Sequence, residues 1–187
     1  MADFSLKAEP FLGGYSKEFD GVTLDEVIDV SLMSIAQPLK GRSALTKAVK
    51  TGWGCATPMP GRSVQSKDGE QHLMCLGADS FLAMAMGNIT VDKMAKQLGD
   101  AGFYTDQSDN WVVLRMAGPL ALPALERICP IDLHPDVFPT GAFARTSMEH
   151  LGTIILRQGP DEFLVMSASS SAASFLHAIT TSIENVS

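Results

Sequence analysis

Positive charge is scarce in this chain of 187 residues, which has 14 lysine and arginine residues against 21 aspartate and glutamate residues. The formal net charge is −7, and the basic residues are scattered rather than clustered. A chain of this kind has no basic field that would attract phosphate backbones or anionic lipid. The composition therefore argues against nucleic acid as a partner.

Long apolar runs are also missing, although 45% of the residues are hydrophobic. The best candidate, residues 111–122, is interrupted by Arg115, Gly118 and Pro119, whereas a membrane span needs about 18 or more apolar residues. Residues 1–7 lack the basic patch and apolar run of a secretion signal. We therefore predict a cytoplasmic protein with no membrane segment, which buries its apolar excess in a core or against another protein.

Cysteine is rare, and the few cysteines lie far apart in the sequence. There are three of them, Cys55, Cys75 and Cys129. An odd number without close spacing is typical of reduced thiols rather than a disulfide framework. We predict that they are packing residues, because a buried cysteine behaves as a small hydrophobic side chain.

Motifs for metal or nucleotide binding are not found. No histidine has a second ligand three or four residues away, and the four histidines are His72, His134, His150 and His177. Neither Gly13-Gly14 nor Gly52-Trp53-Gly54 forms the Gly-x-Gly-x-x-Gly pattern that cradles phosphate. The sequence therefore predicts no metal or cofactor site in this chain.

Signs of nucleophilic catalysis are missing as well, since there is no Gly-x-Ser-x-Gly elbow. A serine run precedes the last predicted helix and is interpreted as its N-cap; its members are Ser167, Ser169, Ser170 and Ser171. Asp79 and Asp161 occupy equivalent places in two similar segments, which favours a role in turns over catalysis. We accordingly assign no catalytic, cofactor-binding or metal-binding residue.

What the chain does contain is an internal similarity at a spacing of about 80 residues. Residues 77–84 and 159–166 share Gly, Asp, Phe, Leu and Met at equal positions. Three further blocks match in the same order, which are 35–39 with 116–120, 44–49 with 124–129, and 91–98 with 172–179. Such colinear blocks indicate a duplicated unit.

Periodicity predicts the same order of elements in both halves. In the first half we predict strands at 29–36, 72–76 and 80–84 and helices at 39–49 and 90–101. In the second half we predict strands at 111–116, 146–157 and 162–167 and helices at 119–129 and 172–183. Residues 51–69 are predicted to be a long loop, and residues 104–107 are a candidate hairpin partner for 111–116.

These elements predict an α+β fold built from two pseudo-repeated, ferredoxin-like β-α-β-β-α half-domains. The first repeat is expected at residues 29–103 and the second at 104–187, with residues 1–28 as an N-terminal arm that runs over a surface. A single unit would leave one face of its sheet bare. Two copies packed together would cover it.

The two tryptophans, Trp53 and Trp111, and the ten methionines are expected mainly in the core, with a pocket or docking surface as the alternative.

The second half also resembles a known family. The resemblance rests on four segments, Asp-Asn-Trp-Val-Val-Leu-Arg-Met-Ala-Gly-Pro at 109–119, Cys-Pro-Ile-Asp-Leu at 129–133, Phe-Pro-Thr-Gly-Ala-Phe-Ala-Arg-Thr at 138–146 and Gly-Pro-Asp-Glu-Phe at 159–163. Together they resemble the gamma subunit of bacterial heterotetrameric sarcosine oxidase. The resemblance covers about residues 30–183 and is strongest from residue 105 onward.

The resemblance implies a fold related to the folate-binding aminomethyltransferases and a place in a complex with alpha, beta and delta subunits. That complex oxidises sarcosine to glycine, passes the one-carbon unit to tetrahydrofolate or releases it as formaldehyde, and forms hydrogen peroxide. FAD, FMN and NAD are associated with the larger subunits, so a non-catalytic role is implied for this chain. Two alternatives stay open, which are a stand-alone folate-binding or aminomethyltransferase-like protein and a homo-oligomeric module. The folate alternative predicts a pocket between the lobes with a carboxylate for the pteridine.

Overall fold

The computed structural model describes residues 9–187, and two antiparallel sheets lying face to face form its centre. In chain order the strands are β1 (Ser16–Phe19), β2 (Val22–Glu26), β3 (Val30–Ala36), β4 (Ser63–Gln65), β5 (Gln71–Cys75), β6 (Ser80–Met86), β7 (Phe103–Asp106), β8 (Trp111–Ala117), β9 (Phe143–Met148), β10 (Leu151–Gly159) and β11 (Glu162–Ala168). The helices are α1 (Arg42–Gly52), α2 (Val91–Leu98), α3 (Ala121–Ile128) and α4 (Ala172–Glu184). The predictions made for residues 1–8 lie outside the described residues.

The elements form four layers in the order helices, sheet, sheet, helices. The first sheet has the strand order β4-β5-β6-β3-β7, and the second has the order β1-β2-β8-β11-β10-β9. Helices α1 and α2 pack on the outer face of the first sheet, and α3 and α4 pack on the outer face of the second. The predicted mixture of helices and strands is confirmed, with two sheets.

Alternation along the central strands explains why these segments are apolar without a break. In β6, Phe81 and Ala83 face the helices while Leu82 and Met84 face the other sheet. Successive side chains of a strand point to opposite faces, so a strand covered on both faces needs apolar residues at every position. β11 follows the same rule, with Phe163 and Val165 on the helix side and Leu164 and Met166 on the sheet side.

The fully buried residues of the layer between the sheets come from strands of both sheets. Its buried members are Leu32, Met74, Leu82, Met84, Val113, Phe143, Ile154, Leu156, Leu164 and Met166. Trp53 is also buried, and its ring nitrogen donates a hydrogen bond of 2.8 Å to Gln97 Oε1. Core positions are thus confirmed for Trp53 and most methionines, whereas Met59 and Met86 are exposed.

The N-terminal region differs from the predicted arm. Residues 16–26 form the hairpin β1-β2, and β2 pairs with β8 to extend the second sheet. Val22 and Leu24 are buried in the core beneath α3 and α4, and Gly21 at the turn has a φ of 79°. The prediction of an arm that runs over a surface is therefore wrong for this segment, because its apolar residues are too few to show a period but still fill the edge of a core.

The segment at residues 103–106 also pairs differently from the prediction. It forms β7, which pairs with β3 of the first sheet, and not with β8. The turn at Ser108–Asn110 then carries the chain across to the second sheet. The predicted boundary between residues 103 and 104 consequently falls inside a strand. The two sheets exchange strands, since the β1-β2 hairpin precedes the first unit but joins the second sheet, while β7 directly precedes β8 but joins the first sheet.

Two further differences concern loops. The predicted loop at 51–69 contains the short strand β4, and the predicted strand at 146–157 is two strands, β9 and β10, joined at Glu149 and His150. Both joining residues have positive φ, 46° and 67°. Such a two-residue turn matches the twist of the flanking strands, but sequence signals for it normally involve Asn or Gly.

A buried arginine fixes the long loop between α3 and β9. Arg157 is 2% exposed, and its guanidinium donates hydrogen bonds to the carbonyl oxygens of Leu133 and Phe138 at 3.0 Å and of Gly159 at 3.1 Å. It also donates to the carbonyl of Pro160. Because a buried charge is tolerated only when its donors are satisfied, these carbonyls hold the arginine and the arginine holds the loop.

We expect Leu164→Ala to lower the free energy of unfolding by about 2–5 kcal/mol, because Leu164 is fully buried between the sheets and its truncation leaves a cavity. Leu39→Ala is the matched control, since Leu39 is 95% exposed and its truncation should change stability by less than about 0.5 kcal/mol. Urea denaturation followed by circular dichroism measures both. Equal effects of the two substitutions would contradict this account of the inter-sheet layer.

Candidate functional site: a cleft where the chain crosses between the sheets

A cleft of about 670 Å³ lies at the place where the chain passes from one sheet to the other. Its lining comes from the link between β2 and β3, from the link between β7 and β8, and from residues 9–11 as an N-terminal wall. Because the sheets exchange strands, both links pass from one sheet to the other beside this cleft. The cleft is thus a consequence of the topology.

Backbone hydrogen bonds hold both links in position. The Val27 N–H donates to the carbonyl of Val113 at 2.9 Å, which fixes the first link against β8. The Gln107 N–H donates to the carbonyl of Leu32 at 2.8 Å, and the Leu32 N–H donates to Ser108 Oγ at 3.1 Å. These bonds fix the second link against β3, so the cleft lies on an ordered frame.

Glu26, at the end of β2, anchors the N-terminal wall of the cleft. Its Oε1 accepts a hydrogen bond from the Leu12 N–H at 2.9 Å, and its Oε2 accepts from Gly14 N–H at 2.8 Å and Tyr15 N–H at 3.3 Å. A carboxylate with three backbone donors is a strong fixed acceptor. This carboxylate is therefore occupied with structure, and it positions Phe11 on the rim.

Two other carboxylates on the cleft are not engaged in this way. The backbone carbonyl of Asp29 accepts from Gly87 N–H at 2.8 Å, and that of Asp109 accepts from Ser169 Oγ at 2.8 Å. Both residues are exposed, and within residues 9–187 their carboxylates form no hydrogen bond or salt bridge. Their backbones are fixed while their charges face solvent.

The remaining surface of the cleft is largely apolar. Phe11 is 45% exposed and Ile28 is 56% exposed, and Trp111 and Val113 line the inner part. Glu9 adds a further acidic side chain, and the described lining includes no lysine or arginine. This combination can hold a ligand that is cationic and partly apolar, and it repels an anion.

The histidines considered as ligands do not come together. His72 lies on β5, His134 lies beside Asp136 in the loop after α3, and His150 and His177 lie in the β9–β10 turn and on α4. In the part of the chain that the structure describes, no group of three metal-ligating side chains could hold an ion.

The cysteines also stay apart, as three free thiols. Cys75 and Cys129 are buried and Cys55 is half-buried. Burial raises the pKa of all three thiols, which disfavours the reactive thiolate. This environment agrees with the predicted role in packing.

The serine run has another role from the one predicted. Ser171 precedes α4, but its side chain makes no capping hydrogen bond, and Ser169 Oγ instead donates to the carbonyl of Asp109. The N-cap interpretation is wrong because a single turn of 3-10 helix at Ser169–Ser171 leads into α4. The serine run thereby braces the wall of the cleft.

The cleft residues were missed by sequence reasoning. Its two walls are about 80 residues apart in the sequence, and neither wall contains a motif. The local signal in the sequence is the acidic pair in Glu26-Val-Ile-Asp29. In the structure Ile28 is exposed, although an apolar residue is expected to be buried.

The fold defines the class first. The structure matches the glycine cleavage system aminomethyltransferase T from Bartonella henselae with a TM-score of 0.66 and 13% sequence identity, over 89% of this chain and 53% of that chain. This likeness shows the fold alone. The chain therefore has the two-sheet fold that is found in aminomethyltransferases.

A more specific match follows within that class. The structure matches a chain of heterotetrameric sarcosine oxidase from Corynebacterium sp. U-96, in complex with pyrrole 2-carboxylate, with a TM-score of 0.75 and 27% identity over 88% of this chain and 84% of that chain. The sarcosine oxidase subunit gamma of Corynebacterium sp. (strain P-1) is 30% identical over 139 residues, which are 73% of this chain and 66% of the relative. By sequence the chain is a homologue of sarcosine oxidase gamma subunits, and by structure it resembles a chain of the heterotetrameric enzyme. The match spans slightly less than two thirds of that relative, and no family model matches the chain.

We expect Glu26→Ala to release the N-terminal wall, because three backbone N–H groups lose their acceptor. Hydrogen bonds to a charged group contribute about 1.5–3 kcal/mol, so amide exchange at Leu12, Gly14 and Tyr15 should accelerate by about tenfold or more. Hydrogen exchange read by mass spectrometry or NMR measures this. Glu18→Ala on the neighbouring strand β1 is the control, and similar acceleration in that variant would contradict the anchoring role.

Protonation of His72 should lower the stability of the protein at acidic pH. Burial lowers the pKa of His72 below its usual 6.5, and its Nε2 lies 2.9 Å from Gln65 Nε2. The unfolded chain therefore takes up this proton at a higher pH than the folded chain. Stability from this source is complete above about pH 6.5 and is lost as the pH falls toward the folded pKa, by at most about 1.4 kcal/mol per pH unit.

Urea denaturation at pH 7 and pH 5 checks this expectation. The wild type should lose more stability between the two values than His72→Gln. His177→Gln, at an exposed position of α4, is the matched control for the substitution of histidine by glutamine. An unchanged pH dependence in His72→Gln would show that other groups are responsible.

Proposed function

We propose that this chain is a non-catalytic gamma subunit of a heterotetrameric sarcosine oxidase. The proposed complex demethylates sarcosine oxidatively to glycine, transfers the one-carbon unit to tetrahydrofolate or releases it as formaldehyde, and produces hydrogen peroxide. The observation that supports this most is the match to heterotetrameric sarcosine oxidase, which covers 84% of that chain at a TM-score of 0.75.

The proposed partners are the alpha, beta and delta subunits of the complex. We propose that FAD, FMN and NAD are held by these partner chains, that tetrahydrofolate is a co-substrate of the assembly, and that the assembly is cytoplasmic. Between residues 9 and 187, none of the helices combines the length and hydropathy of a membrane span. We propose that this chain itself contributes no catalytic, cofactor-binding or metal-binding residue.

Exposed apolar side chains support a role in assembly. Leu39 is 95% exposed, Met59 75%, Phe103 69% and Val137 60%. Single exposed apolar residues are normal, but these are large, and a permanent interface of about 2,000 Å² or more would cover several of them.

We also propose that the two lobes descend from one duplicated ferredoxin-like unit, at about residues 29–103 and 104–187. The strand orders β4-β5-β6-β3 and β9-β10-β11-β8 support this. In the first unit the last strand, β6, lies between β5 and the first strand, β3, and in the second unit β11 lies between β10 and β8 in the same way. The turn aspartates agree as well. The carbonyl of Asp79 accepts from Gln37 N–H at 2.8 Å, and that of Asp161 accepts from Gly118 N–H at 2.9 Å, so equivalent residues make equivalent bonds.

Co-purification tests the proposed function. The tagged full chain, expressed at its native level in its own host, should elute with flavin-containing chains that oxidise sarcosine and produce hydrogen peroxide. Absorbance at the flavin bands, mass spectrometry of the eluted chains and a peroxide assay measure this. A chain that elutes without a flavin protein would overturn the proposal, and light scattering would then identify a homo-oligomer.

A further inference from the structure

The charge of the cleft selects the kind of molecule that it can accept. Asp29 and Asp109 present unengaged carboxylates from the two opposite links, and Glu9 adds a third acidic group at the rim. With no lysine or arginine in the described lining, a cation that enters meets attraction from both walls. An anionic ligand such as a phosphate, or the glutamyl tail of a folate, would be repelled.

The apolar part of the cleft indicates that the occupant is more than a simple ion. Phe11 and Ile28 are about half exposed, and both line the cleft together with Trp111. An indole ring beside carboxylates suits a lysine or arginine side chain, because the apolar stem packs on the ring and the charged head reaches the acids. Exposed apolar side chains around such a cavity favour a polypeptide.

The frame of the cleft is rigid enough to act as a docking site. Glu26 fixes the N-terminal wall, the Val27 N–H bonds to Val113, and Ser169 braces the Asp109 backbone. The acidic groups and the apolar rim are thus held in place before a partner binds. Pre-organisation of this kind lowers the entropic cost of association.

We propose that the cleft is the docking site for a segment of a partner subunit that carries a lysine or arginine flanked by apolar residues. The inference rests on the proposed function, because it takes the partner to be a chain of the sarcosine oxidase assembly. A volume of about 670 Å³ is in the range of sites that enclose most of a ligand, which is sufficient for one basic side chain and its apolar neighbours. A second copy of this chain fits less well, since each copy has a net charge of −7.

The test uses the purified assembly with the full chain. In the variant Asp29→Asn/Asp109→Asn the two unengaged charges are removed while side-chain size is kept. The assembly that contains this variant should release the chain at about tenfold higher concentration than the wild-type assembly, as measured by mass photometry over a dilution series. The difference between the two should shrink as salt rises from 50 to 300 mM, because screening weakens the same attraction in the wild type.

The matched control is Asp92→Asn/Asp161→Asn, which removes two exposed aspartates outside the cleft and leaves the same net charge. This control should dissociate as the wild type does. Asp109→Lys is the second variant, and it should weaken the assembly further than Asp109→Asn because it places a positive charge against the incoming cation. Circular dichroism of each isolated chain verifies that folding is retained.

The outcomes separate the inference from the proposed function. The docking site would be overturned if the assembly with Asp29→Asn/Asp109→Asn dissociated at the same concentration as the wild-type assembly, or if the control variant weakened the assembly equally. The proposed assembly itself would still stand. A wild-type chain that captures no flavin partner would overturn both. Self-association that the cleft variant abolishes would identify a second copy as the occupant, and tetrahydrofolate binding that it abolishes in calorimetry would identify folate. Either result would replace the proposed partner segment.

Discussion

The apolar layer shared by the two sheets is the constraint on which the rest of the structure depends. Each sheet has helices on one face, so its other face would lie in water if the sheets were separated. Packing the bare faces together buries residues such as Leu32, Leu82, Val113 and Leu164 from both halves in one layer. Neither half is covered on both sides without the other, and the chain therefore behaves as one unit despite its two similar lobes.

The position of the cleft follows from how this layer is connected. Because β2 joins the second sheet and β7 joins the first, two links cross beside each other at one edge of the layer. Where the regular pairing of strands ends, side chains satisfy backbone donors: Glu26 accepts from the N–H groups of residues 12, 14 and 15, and Ser108 Oγ accepts from the Leu32 N–H. The acidic and half-exposed character of the cleft thus arises where the regular pairing ends, while the buried Arg157 fixes a separate loop with carbonyl oxygens.

Much of the fold could be predicted wherever a segment carries a period of its own. Helices α2 and α4 and strands β6, β8 and β11 lie within one to three residues of their predicted bounds, because their apolar residues recur regularly and turn residues flank them. The short strands β1, β2 and β4 were missed, since three to five residues are too few to show a period. The pairing predicted for β7, with β8, was wrong because the partner of a strand depends on where the chain turns next.

The amino-acid sequence alone determined the element types, the amount of apolar surface to be buried and the family resemblance, because periodicity and motifs are local properties of the sequence. Tertiary structure alone decided which edge strands pair and, with them, the cleft. Asp29 and Asp109 become neighbours on one cavity only after the two sheets have packed and their links have crossed. Proximity between residues 80 positions apart is a property of the packed layers, and no local pattern of side chains encodes it.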